Sequence, residues 1–133
     1  MVAGSIPRQS VLVVDDHPGV AGTTAEILRR AGLDVVTASR GDEAVDLTKK
    51  RTFDVVVLDY EIAFDRPTED LVVGWSETSE IILVSAVDPY ALSVFAERYR
   101  NEIFAALHKP VPPDLLLRTV GDALVAARDR WMD

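Results

Sequence analysis

Cysteine is absent from the 133 residues of this chain. A disulfide framework, a thiolate metal site and a thiol nucleophile are therefore excluded, and the absence fits a reducing compartment. Positive charge is in short supply: 14 Lys and Arg stand against 22 Asp and Glu, a formal net charge of -8. Binding to a phosphate backbone needs clustered Lys and Arg, so the balance argues against nucleic acid as a partner. It permits a metal cation, a basic protein patch or simple solubility. No apolar run approaches the roughly 18 residues that span a bilayer, and Met1 to Ser10 hold no apolar core of signal-peptide length. A soluble, cytoplasmic protein is the expectation. A Gly-rich loop of P-loop or dinucleotide type is missing as well, which removes the commonest nucleotide sites. So are internal repeats, low-complexity tracts and linkers, and the length suits one domain with a real core.

Against these absences stand four short segments in a fixed order. They are Val11-Leu12-Val13-Val14-Asp15-Asp16, Val55-Val56-Val57-Leu58-Asp59, Ile81-Ile82-Leu83-Val84-Ser85-Ala86 and Leu107-His108-Lys109-Pro110. Three are apolar runs that end abruptly in an acid or a hydroxyl; the fourth ends in a lysine before proline. A continuous apolar run of strand length reads as a strand buried on both faces, as in a parallel sheet. Functional groups in such sheets collect beyond the carboxyl ends of the strands. Asp15, Asp16, Asp59, Ser85 and Lys109 are thus expected at one edge.

Between these runs the pattern alternates strand and helix five times. The expected strands are Val11–Asp15, Asp34–Ala38, Phe53–Asp59, Glu80–Ser85 and Ile103–His108. The expected helices are Pro18–Arg30, Asp42–Lys50, Thr68–Trp75, Asp88–Arg100 and one from Pro112 or Pro113 to about Trp131. Pro near a helix start and Gly just past its end mark the first helix, and Asp88 before Pro89 marks the fourth. The third helix lies in the least regular stretch, Tyr60 to Ser79, and is expected to be short or irregular. Alternation of this kind predicts an α/β fold, a doubly wound five-stranded parallel sheet flanked by helices. Residues 1–133 read as a single domain with a core over about 10–131, the last helix running to the C-terminus with no output domain after it.

Three carboxylates in one crevice repel one another, and a hard divalent cation relieves that repulsion. Mg²⁺ takes oxygen ligands, keeps waters and favours phosphate oxygens beside them. Asp15, Asp16 and Asp59 therefore suggest a Mg²⁺ site, with Asp16 the best direct ligand and Asp15 direct or through water. Lys109 adds a point charge, and Ser85 with the backbone N–H after it adds donors. Such a cradle suits phosphoryl transfer, which depends mainly on alignment and charge neutralisation. A carboxylate can itself accept the group as an acyl phosphate, and Asp59, alone at the end of the middle strand, is the candidate nucleophile.

The ordered set Asp-Asp, Asp, Ser-Ala and Lys-Pro on five βα units resembles the response-regulator receiver domain of two-component signalling, from about Val11 to Met132. The resemblance implies the flavodoxin-like (CheY-like) receiver fold and phosphorylation of Asp59 by a histidine kinase or a histidine phosphotransfer protein. It implies Mg²⁺ held by Asp15, Asp16, Asp59 and the backbone carbonyl of Glu61. It further implies that Ser85, the Ala86 N–H and Lys109 contact the phosphoryl group. The Lys109–Pro110 bond is expected to be cis. Output is expected through a protein–protein contact on helix four, strand five and helix five, with a partner protein or a second copy. No enzymatic activity is implied beyond accepting the phosphoryl group and promoting its loss.

Two departures from the family pattern stand out. Ala106 occupies the position where most receivers carry Tyr or Phe, so the switch region of Ser85, Ala106 and Pro110 lacks its usual mobile ring. Phe104, Tyr90 and Tyr99 are candidate substitutes, and the sequence does not choose among them. After Asp59 the chain reads Tyr60-Glu61-Ile62-Ala63-Phe64-Asp65-Arg66-Pro67, which puts a further carboxylate near the metal; Glu61 could coordinate, repel or influence attacking water. These departures favour a rival, a non-phosphorylated pseudo-receiver acting as an interaction module; the intact acid trio, Ser85 and Lys109 oppose it. A phosphatase with an aspartyl nucleophile is a second rival, opposed by adjacent rather than alternate acids on the first strand and by the lack of a cap. Other residues take ordinary readings: His17 a partly solvated loop residue, His108 structural or surface, Trp75 and Trp131 packing residues. Lys49, Lys50, Arg51, Arg128 and Arg130 complement helix ends.

Overall fold

The computed structural model describes residues 9–132. Five strands and five helices alternate: β1 (Ser10–Val14), α1 (Pro18–Arg30), β2 (Asp34–Ala38), α2 (Gly41–Lys50), β3 (Val55–Asp59), α3 (Thr68–Trp75), β4 (Glu80–Ser85), α4 (Pro89–Arg98), β5 (Ala105–His108) and α5 (Pro113–Met132). All four strand pairings are parallel, and the sheet order is β2-β1-β3-β4-β5. In this doubly wound arrangement the winding reverses between β1 and β3, and a crevice opens there at the carboxyl ends.

The apolar runs are buried on both faces because successive side chains alternate across the sheet. Leu12, Val14, Val56, Leu58, Ile81 and Leu83 form one core with Leu71, Val72 and Trp75 of α3 and Leu92 of α4. Val11, Val13, Val55, Val57, Ile82 and Val84 form the other with Ala25 and Leu28 of α1 and Val120 and Leu124 of α5. Burying each such side chain is worth about 1.5–3 kcal/mol, so the two layers rather than any single contact carry the fold. No described helix is long and apolar enough to cross a membrane.

Helix boundaries follow local chemistry. Gly32 takes a φ of 91° just past α1, the left-handed turn that lets the Leu33 N–H return to Leu28 O at 3.3 Å. Asp88 caps α4 by accepting from Tyr90 N at 2.9 Å. Strand ends differ from the sequence expectation by a residue or two. β3 begins at Val55 because Phe53, though buried, gives its carbonyl to Ser79 Oγ at 2.7 Å rather than to a strand. β5 begins at Ala105, and α4 stops at Arg98, because Ile103 N closes a turn on Tyr99 O at 2.9 Å. β1 ends at Val14, one residue before Asp15, and α2 begins at Gly41, one before Asp42. The packing expected of Trp131 falls outside the described side chains.

Residues 60–67 contain no helix, and α3 is eight residues long, the short third helix the sequence predicts. This loop is held against α2: Gly41 N donates to Ala63 O at 2.9 Å. A Cβ at Gly41 would lie 2.5 to 2.8 Å from Phe64 side-chain atoms, the Phe64 Cβ included. Rotating the ring does not relieve that overlap, so the loop must move. Gly41→Ala is expected to destabilise the fold by about 1–3 kcal/mol, read as a lower urea midpoint at unchanged slope.

Candidate functional site

The crevice gathers the predicted residues at the carboxyl edge of the sheet. Asp15 follows β1, Asp59 closes β3, Ser85 closes β4 and Lys109 follows β5. Asp15, Asp59 and Ser85 are buried; Asp16 is exposed. One ligand atom from each of Asp15, Asp16, His17 and Asp59 lies within 4.8 Å of the others. His17 is solvent-exposed beside the acids, its Nδ1 3.0 Å from Asp16 Oδ1 and 3.5 Å from Asp15 Oδ1. That matches the solvated loop residue expected, although its ring also borders the cluster. Asp15 is anchored by the chain itself, accepting from His17 N at 2.9 Å.

Lys109 supplies the positive charge. Its Nζ lies 3.1 Å from Asp15 Oδ2 and 3.5 Å from Asp59 Oδ2. The Lys109–Pro110 bond is cis, as the sequence predicts, and Lys109 N donates to Ser85 O at 2.8 Å. His108 turns the other way and its Nε2 meets Val87 O at 2.8 Å, a structural role.

Electrostatics at the site follow from burial. Desolvation pushes the Asp59 carboxyl up to about 7, and a proton shared with Glu61 adds to the rise. The Glu61 backbone N–H and Lys109 oppose it without prevailing. Burial acts upward on Glu61 too, but hydrogen bonds from Asp59 and Ser85 outweigh it and hold this carboxyl below its usual range. Lys109 behaves in mirror fashion: burial lowers its affinity for a proton, yet Asp15 and Asp59 together raise it. Burial thus favours the protonated form of Asp59, while hydrogen bonds favour the ionised form of Glu61.

Glu61 goes somewhere the sequence reading did not foresee. Its Oε1 accepts from Ser85 Oγ at 2.7 Å, Ala86 N at 3.2 Å and Val87 N at 3.1 Å. Ser85, the Ala86 N–H and the Val87 N–H are therefore donors at the crevice, engaged by Glu61.

Position 106 carries no ring. Ala106 is half-buried against the α4-side core. Of the three candidate rings, Tyr90 is 75% exposed and Phe104 38% exposed, while Tyr99 is partly buried against the same core. Tyr99 stacks on Phe95 with centroids 4.7 Å apart, and Phe95 meets the Tyr60 ring edge-on at 4.9 Å. Tyr60 directly follows Asp59, and its N–H donates to Val84 O at 2.8 Å. An aromatic chain from the crevice to α4 therefore runs through Tyr60 and Phe95, neither singled out by the sequence because no motif places them there. Beside the acids, an apolar groove of about 580 Å³ opens between α1 and the β5–α5 connection, lined by Val20, Ile27, Val111 and Leu116 among others.

A sequence model of the response regulator receiver domain matches residues 11–121. The chain belongs to this family. Receiver domains are modules of two-component signalling. Solved structures agree at the level of the fold. A CheY-like receiver from Methanospirillum hungatei JF-1 superimposes with a TM-score of 0.82 at 22% identity, over 93% of this chain and 99% of that one. The chemotaxis response regulator CheY4 of Vibrio cholerae gives 0.74 at 24% identity, over 88% and 99%. A Burkholderia pseudomallei response regulator, solved with a phosphorylated aspartic acid, calcium ion and citrate, gives 0.74 at 22% identity, over 92% and 72%. No curated protein sequence matches the receiver.

Proposed function

We propose that this receiver is a phosphorylation switch whose acceptor is Asp59. The observation that carries the reading is the position of Lys109 Nζ between buried Asp15 and buried Asp59, at the mouth of a four-residue acid and imidazole cluster. The donor set suits a hard cation: carboxylate oxygens predominate, and Asp59 is otherwise left holding a proton. Asp15, Asp16, Asp59 and the Glu61 carbonyl would hold Mg²⁺. Bound there, Mg²⁺ supplies charge neutralisation for phosphoryl oxygens. Asp59, ionised, attacks the phosphorus of a phosphohistidine; the P–N bond breaks, the imidazole leaves and an acyl phosphate forms. Lys109 meets the charge on the transferring group, and Ser85 with the Ala86 N–H receives one of its oxygens. The groove between α1 and the β5–α5 connection admits the donor protein, a histidine kinase or phosphotransfer protein. The receiver works in the cytoplasm and signals through α4, β5 and α5, where Tyr90, Val94 and Phe104 are exposed.

Incubation with Mg²⁺ and acetyl phosphate tests this by intact mass. One added phosphoryl group is expected, released by hydroxylamine and abolished by EDTA. Light scattering of the phosphorylated sample then reads self-association, and unchanged mass across a panel of phosphorylated histidine proteins sinks the switch in favour of the pseudo-receiver. Glu61 in the donor cradle and Ala106 in the ring position are the observations that favour that second reading.

A further inference from the structure

Three donors at the start of the β4–α4 connection end on a single oxygen of this chain. Glu61 Oε1 accepts from one hydroxyl and two successive backbone N–H groups, at 2.7, 3.2 and 3.1 Å. Ser85 is fully buried, so its hydroxyl has no access to bulk water. Its oxygen also accepts from Val87 N at 3.0 Å, which ties the three donors into one unit. A hydroxyl and consecutive amides converging on an anionic oxygen form a concave anion site. The turn that aims Glu61 there is fixed at both ends. Glu61 N donates to Asp59 Oδ1 at 3.1 Å, and Ile62 N to Asp59 O at 3.1 Å. One set of donors cannot serve two anions at once.

We propose that Glu61 is an internal ligand of the phosphoryl cradle: its carboxylate holds Ser85, Ala86 and Val87 in a closed arrangement while Asp59 is unmodified, and it must leave before a phosphoryl group takes the same donors. The inference rests on the reading of Asp59 as acceptor. It makes Glu61 a self-inhibiting contact in a receiver that has no ring at position 106. A phosphoryl group, with more charge and three acceptor oxygens, is the stronger ligand and displaces the carboxylate. The displaced carboxylate swings outward from the mouth of the crevice, where Glu61 is already exposed.

Two variants separate reach from charge. Glu61→Ala removes both; Glu61→Asp keeps the charge on a side chain one methylene too short to reach the donors. Amide hydrogen exchange is read on the metal-free, unmodified protein. Protection at Ala86 and Val87 is expected to fall about tenfold in both variants, the equivalent of one hydrogen bond. Calorimetry then follows beryllofluoride, a phosphoryl mimic, in the presence of Mg²⁺. Both variants are expected to bind it about tenfold more tightly than the parent. Parent-like exchange at Ala86 and Val87 in Glu61→Ala overturns the proposal. So does tighter binding in Glu61→Ala with parent-like binding in Glu61→Asp, which assigns the effect to charge alone. If no protein binds beryllofluoride, the acceptor reading fails instead, and exchange still decides whether Glu61 holds the connection.

Discussion

Asp59→Asn is expected to take up no phosphoryl group and, in EDTA at about pH 8, to be more stable than the parent by about 2 kcal/mol. The two effects share one cause, a carboxyl buried with too little positive charge around it. Folded, Asp59 keeps a proton up to about pH 7, whereas the unfolded chain releases it near pH 4. As pH rises between those values the unfolded state sheds its proton first, so folding loses stability across that window. Above about pH 7 both states are ionised and the penalty is constant. A shift of this size, already net of the Glu61 N–H and the Lys109 charge, sets a ceiling near 4 kcal/mol at about 1.4 kcal/mol per unit, and burying an amide in place of the carboxyl takes back part of it. Glu61, held low, works in the opposite sense: its stabilisation is present above about pH 4.5 and is lost on acidification. Asparagine at position 59 keeps the shape, donates to the Glu61 carboxylate and carries no charge. Urea denaturation of both proteins across pH 4–8 is the measurement. The advantage should vanish towards pH 4 and narrow at pH 8 when Mg²⁺ is added, because binding stabilises only the folded parent. An advantage that is absent at pH 8, or independent of pH, refutes the account.

The second large effect is expected from Lys109→Ala. The lysine ammonium lies 3.1 Å from Asp15 and 3.5 Å from Asp59, whose side chains are 7% and 2% exposed. Removing one partner of such a group leaves buried negative charge uncompensated, which costs about 3–5 kcal/mol in dry sites. Lys109 is itself 20% exposed, so water reaches the gap; the expected loss at about pH 8 is therefore roughly 2–3 kcal/mol. Because Lys109 is raised in the folded state, its own contribution is fully present below about pH 10.5 and lost only as pH climbs through the folded value. Any pH dependence of the loss below that limit comes from the acids. It should be largest above pH 7, where Asp59 is ionised, and smaller near pH 5, where Asp59 keeps its proton. Combined with Asp59→Asn, the cost at pH 8 should fall by at least about 1 kcal/mol, a coupling read by a double-mutant cycle. Strict additivity would mean that Lys109 supports the fold through packing alone.

How much of this was legible beforehand depends on the range of the interaction involved. The pairing of Val11–Val14 with Val55–Leu58, and of Val55–Asp59 with Glu80–Val84, follows from apolar runs that only a two-faced parallel sheet can bury. Pro18, Gly32, Asp88 and Pro89 set helix limits by local backbone chemistry, which acts within a few residues and so is written in the sequence. The edge that gathers Asp15, Asp59, Ser85 and Lys109 was legible for a related reason: each ends a run, and parallel strands present those ends together. Strand starts at Val55 and Ala105 were not, since Phe53 and Ile103 are as apolar as strand residues and only their hydrogen-bond partners, Ser79 and Tyr99, take them out of the sheet.

What the sequence determined by itself is the alternation, the two-faced sheet and the set of residues delivered to its carboxyl edge, because periodicity and punctuation are local. Tertiary structure alone decided which donors those residues meet. Glu61 carried an acid to the crevice by sequence, but its capture by Ser85, Ala86 and Val87 depends on β3 and β4 lying side by side. Likewise the ring chain Tyr60–Phe95–Tyr99 joins a loop after β3 to α4, and the Phe64 contact fixes that same loop to Gly41 of α2. Glu61 and its three donors, Tyr60 and Phe95, and Gly41 and Phe64 are each separated by more than twenty residues of chain. Their contact is set by how layers pack, a property of the folded whole that no local pattern encodes.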